Sequence, residues 1–108
     1  MKKHLIALAL VSAGMAHAEF RDGNGLLADL QSDYVENRMY GMGYIIGIAD
    51  MGRGFVNCMP ANATAGQLRD MVKNYLENTP AERHQTADII VNRVLKAVWP
   101  CAKRGSSL

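Results

Sequence analysis

Of 108 residues only three are histidine, three proline, two cysteine and one tryptophan. The histidine shortage excludes chemistry directly. His4 and His17 lie in an N-terminal stretch with the marks of a leader, which leaves His84 alone for a folded domain. A histidine-built metal site needs more, and a Ser-His-Asp triad would have a single candidate base. Long apolar runs are missing as well. The longest unbroken one, Leu5 to Val11, is far below the ~20 residues that a membrane helix requires, so no membrane span is expected. Nor is there a useful excess of either charge. Twelve Lys and Arg stand against ten Asp and Glu, and the surplus of two is matched by Lys2 and Lys3. Once those are removed the side-chain charges balance, and no basic face remains to bind a nucleic acid.

Lys2 and Lys3, the apolar run, and the small-x-small site Ala16-His17-Ala18 read together as a secretory signal peptide over residues 1–18. The rest of the chain is long enough for one small domain, over 19–102, and the polar segment Lys103–Leu108 reads as a disordered tail. Export through a signal peptide means an oxidising compartment, and an even cysteine count there predicts one disulfide, Cys58 to Cys101. In the loop-closure picture such a bridge removes roughly 4 kcal/mol of chain entropy from the unfolded state. The alternative is a reactive thiolate on Cys58 with His84 as its base.

No window alternates apolar and polar residues as a strand would, whereas several show helical spacing, so the domain reads as all-α, a small helical bundle. Thr64-Ala65-Gly66-Gln67 is a capping box opening a helix with Leu68, Met71, Val72, Tyr75 and Leu76 on one side. Thr79-Pro80-Ala81-Glu82 offers a second such box, predicting a helix from there to Pro100 that buries Ala87, Ile90, Val91, Val94, Leu95 and Val98. These two helices should form an antiparallel hairpin whose outer ends carry Cys58 and Cys101, so that the disulfide closes the C-terminal hairpin. Upstream, a helix starting near Asp33 is expected to turn Val35, Met39, Met42, Ile45, Ile46 and Ala49 inward. Gly41, Gly43 and Gly47 within it each cost about 1 kcal/mol against alanine. Close backbone packing is the expected compensation, with Gly43 and Gly47 sharing a face at four-residue spacing. A short helix from Gly25 to Gln31, carrying Leu26, Leu27 and Leu30, could cover one end.

Catalytic groups are sparse. The carboxylates fall at caps and on polar faces; Asp50, directly after an apolar stretch, reads as a buried hydrogen-bonded cap. His84 is expected in the first turn of the last helix. No phosphate loop, nucleotide fingerprint or metal cluster is present, so neither cofactor nor metal is expected and the chain does not read as an enzyme. The methionines Met39, Met42, Met51 and Met59 suit a core or an adaptable contact surface. Between helices, the turn-rich Asp50-Met51-Gly52-Arg53-Gly54-Phe55 places Met51, Arg53 and Phe55 where they could anchor a partner protein.

The ordered string Gly43-Tyr44-Ile45-x-Gly47-x-x-Asp50, Cys58-x-Pro60, Thr64-x-x-Gln67, Tyr75-Leu76, Pro80, His84-x-x-Ala87 and Pro100-Cys101 resembles the Rap/Tai family. The likeness covers about residues 26–101. It implies a periplasmic helical protein, commonly a homodimer, that binds a cysteine-dependent peptidoglycan amidase delivered by type VI secretion and blocks its cleft. Cys58 and Cys101 match the family's bridge. A further cysteine pair of many relatives would fall near Leu30 and Gly41 and is missing here. A rival reading is a periplasmic stress chaperone or accessory binding protein, with methionine-rich apolar surface exposed on partial unfolding.

Overall fold

The computed structural model describes residues 20–102. The leader expected over 1–18 and the tail over 103–108 lie outside the described residues. Four α-helices occur in order: α1 (Gly23–Gln31), α2 (Val35–Gly52), α3 (Ala65–Asn78) and α4 (Ala87–Val98), with a 3-10 turn at Pro80–Glu82 between the last two. Each helix packs against the other three. No strand forms among the described residues, so the fold is all-α. None of the described helices is long and apolar enough to cross a membrane.

The core is built from the apolar stripes that the spacing marks. Leu26, Leu27 and Leu30 of α1 meet Ile45 and Ala49 of α2, Leu68, Val72 and Leu76 of α3, and Ala87, Ile90, Val91, Val94 and Leu95 of α4. Local capping starts α1 and α3. Asp22 accepts from the backbone N–H of Gly25 at 2.8 Å. Thr64 and Gln67 complete the reciprocal capping box, their side chains each accepting from the other's backbone N–H. Cys58 and Cys101 are joined, with their Cα atoms 5.0 Å apart. The bridge closes the α3–α4 hairpin, and the backbone N–H of Cys58 also donates to the carbonyl of Trp99 at 2.8 Å.

Three expectations are corrected. The Thr79 box does not start α4. The Glu82 carboxylate is held instead by the Tyr75 hydroxyl, which donates to it at 2.6 Å, and by Arg93 at 3.0 Å. The Thr79 hydroxyl turns back to the Tyr75 carbonyl at 2.7 Å. Pro80 therefore opens only the 3-10 turn, and α4 begins at Ala87, whose N–H donates to the Arg21 carbonyl. Val98, expected inside, is 47% exposed at the helix end.

The second correction concerns which side of α2 is buried. Gly41, Ile45, Ala49 and Gly52 face the core, whereas Val35 and Met39 are exposed and Met42 and Ile46 are only partly covered. Apolar residues occur on every side of this helix, so spacing alone does not pick the inner one. The third is a result of the second. Gly43 and Gly47 are exposed, and a Cβ on either would meet nothing within 4 Å. Close packing is found at Gly41 instead, where a Cβ would stand 3.0 Å from Leu30 Cδ2. The places at which relatives were expected to carry a second cysteine pair are thus adjacent, filled here by a leucine methyl against bare backbone.

Candidate functional site

The end of α2 and the loop behind it form the most constructed irregular region of the molecule. After Arg53 the chain reverses at Gly54, whose φ of +94° lies in the left-handed region that favours glycine. The Gly52 carbonyl accepts from the N–H groups of Phe55, Val56 and Asn57, and Gly54 N–H donates to the Asn57 carbonyl at 2.7 Å. Gly52 allows this winding, since a Cβ there would lie 2.9 Å from Val56 Cβ.

Asn57 is the pin. It is a fully buried polar side chain. Its Nδ2 donates to the Ala49 carbonyl at 3.2 Å, and its Oδ1 accepts from Met59 N–H at 3.2 Å. One residue later the disulfide ties the loop to the end of α4. The segment is therefore held from both sides while its tips project, with Met51 78% and Phe55 74% exposed.

Met51 and Phe55 border a groove of about 480 Å³. Tyr44, Gly47 and Ile48 of α2, with Val56, supply its apolar lining, and α4 contributes Asp88 and Asn92. Burial, then the nearby Asp88 carboxylate, raises the Tyr44 phenol above its usual range, while the backbone N–H of Asp88 works in the opposite direction. Tyr44 thus stays a neutral hydroxyl at any physiological pH.

The expected contact residues divide. Met51 and Phe55 share the groove, but Arg53 borders a separate hollow of about 90 Å³ with Ile46, Asp50, Met59 and Thr64. Its guanidinium pairs with Asp50 at 3.6 Å, both side chains being well exposed. Asp50 is consequently no buried cap. The methionines divide too: Met59 belongs to the core, Met39 and Met51 are exposed, and Met42 is half-buried.

Of the motif residues, Gly43, Tyr44, Gly47 and Asp50 lie along α2, Pro60 comes two residues after the disulfide-tied Cys58, and Thr64 and Gln67 cap α3. Tyr75 joins Glu82 beside the Pro80 turn. His84 is not in α4 but in the turn before it, exposed, with Nδ1 3.1 Å from the Ala81 carbonyl. With both cysteines bonded to each other, no thiolate exists for it to activate. Three residues that matter here were not singled out by sequence. Asn57 reads as an ordinary loop asparagine, and only tertiary packing buries it. Asp88 and Asn92 read as the solvent face of the last helix, their one signal being a four-residue spacing that sets both on one side.

Comparison with known proteins agrees with the resemblance. The family described as Rap1a immunity proteins matches residues 22–101, nearly all of the described chain. No curated protein matches the sequence. The chain belongs to the Rap1a immunity protein family.

Proposed function

From this membership we propose that the protein is a periplasmic immunity protein that binds and inhibits a cognate peptidoglycan amidase delivered by type VI secretion. It acts by occlusion and catalyses nothing. Met51 and Phe55 form the contact with the amidase and Arg53 its charged rim, while the working unit is a homodimer.

The supporting observation is the pair of projecting apolar side chains on a rigid mount. Exposed Met and Phe lose water-contacting area only when a partner covers them, and prior fixing of their backbone lowers the ordering cost of binding. Self-association would also give Gly43 a role, since its helix cost has no compensation inside the protomer.

The test uses the disulfide-bonded protein, without its leader, and any peptidoglycan amidase found to be encoded beside it. Tight binding with loss of peptide cleavage is the expected result. If the amidase neither binds nor slows at saturating protein, the immunity reading is overturned.

A further inference from the structure

The groove beside Met51 and Phe55 is largely apolar on its α2 side and carries a carboxylate, Asp88, and a carboxamide, Asn92, on its α4 side. Asp88 has no basic partner within ion-pair distance among the described residues. Asn92 beside it is half-buried, and its Oδ1 is enclosed by the protein, so the accessible charge on this side is that of Asp88. Arg21, on the segment that accepts from Ala87, is engaged elsewhere: it pairs with Asp29 at 3.3 Å and lies over the Tyr40 ring at 5.1 Å. Asp88 also sits in the first turn of α4, where its charge suits the free N–H groups, but that long-range effect leaves its lone pairs available.

A complementary group must therefore combine an apolar body with a cationic, proton-donating tip. Arginine and lysine side chains have this form, a hydrocarbon stem ending in a charged donor. We propose that the groove receives an arginine or lysine side chain of the partner protein. Its stem lies along Ile48, Met51 and Phe55, and its head donates to the Asp88 carboxylate. That the partner is an amidase rests on the immunity reading; the chemistry of the groove does not.

The test separates the two. The leaderless, disulfide-bonded protein, labelled with 15N, is titrated with n-butylguanidinium chloride and, in parallel, with neutral 1-pentanol. Butylguanidinium should shift the amides of Gly47, Asp88 and Asn92 and saturate, binding about threefold or more tightly than pentanol, the range expected of a part-exposed ion pair. Asp88→Asn should remove that preference and leave the response to pentanol unchanged. Equal response to both probes, no localised response, or binding that appears only on dilution, as when a second copy covers the groove, overturns the proposal.

The second measurement is amidase affinity. Asp88→Lys should weaken it at least tenfold, whereas Asp70→Lys, on another exposed surface, should not. If the amidase binds and Asp88→Lys changes nothing, the groove proposal fails while the immunity reading stands. If the cationic probe binds but no amidase does, the immunity reading alone fails.

Discussion

Asn57 Nδ2 donates to the carbonyl of Ala49 at 3.2 Å, a link that fastens the loop after α2 to the last turns of that helix inside the core. The same side chain accepts from Met59 N–H, so one amide serves two backbone groups that water cannot reach. Replacing it removes both bonds and leaves a cavity. Asn57→Ala should cost about 2–4 kcal/mol in urea unfolding, combining two lost buried bonds with the void. An effect below ~1 kcal/mol would mean that the loop holds its shape without the pin.

Glycines provide a paired test with opposite signs. A Cβ on Gly23 would stand 2.7 Å from Ile90 Cδ1 and 2.8 Å from the Arg83 carbonyl oxygen, and backbone cannot step aside as a side-chain tip does. Gly23→Ala should therefore destabilise by about 1–3 kcal/mol, the usual range for overpacking. Gly43 meets nothing, so Gly43→Ala should stabilise the isolated protomer by up to about 1 kcal/mol through helix propensity alone. Denaturation of both variants alongside sedimentation checks the pair: a Gly43 variant that is more stable as a monomer but no longer self-associates would assign the outer face of α2 to the dimer.

The disulfide carries a separable share of stability. It joins positions 43 residues apart, and reduction should lower unfolding free energy by roughly 4 kcal/mol if the entropic account holds. Chemical denaturation with and without reductant measures it directly. Because the bridge also fixes the loop base at Cys58, reduction below the unfolding midpoint should weaken partner binding before the helices are lost.

Tyr44 predicts a response at alkaline pH. Its folded pKa lies above the ordinary value of 10.0, chiefly through burial and then Asp88. A raised folded pKa means that the stabilisation is complete below the unfolded value and is lost as pH rises from about 10 through the folded value. Tyr44→Phe should flatten this part of the alkaline unfolding curve, read by pH-jump circular dichroism. An unchanged slope would show that Tyr44 does not contribute to it.

Legibility in the sequence tracked the range of the interaction. The Thr64–Gln67 box was readable because each partner lies within one turn of the other. The similar string at Thr79 failed because Tyr75 and Arg93, from two other helices, hold the Glu82 carboxylate. The disulfide was readable from compartment and count. The inner side of α2 was not, since apolar residues surround that helix, and neither was the burial of Asn57, which depends on where the chain reverses. Met51 and Phe55 stood out by residue type in a turn-rich segment, but their separation from Arg53 is a consequence of the tight winding around Gly52.

That separation predicts unequal roles in the proposed contact. Met51 and Phe55 present exposed apolar area beside a groove, the setting in which truncation costs most, so alanine at either should weaken amidase binding at least tenfold, about 1.4 kcal/mol. Arg53 already pairs with Asp50 in an exposed position, and a new contact must compete with that bond. Arg53→Ala should lose no more than about fivefold, and the loss should shrink as salt is raised, because exposed charges act mainly on encounter and are screened. Surface-plasmon or calorimetric affinities at low and high salt distinguish the two classes. If Arg53→Ala proves the most damaging of the three, and does so independently of salt, the contact is centred on the Asp50 hollow rather than on the groove.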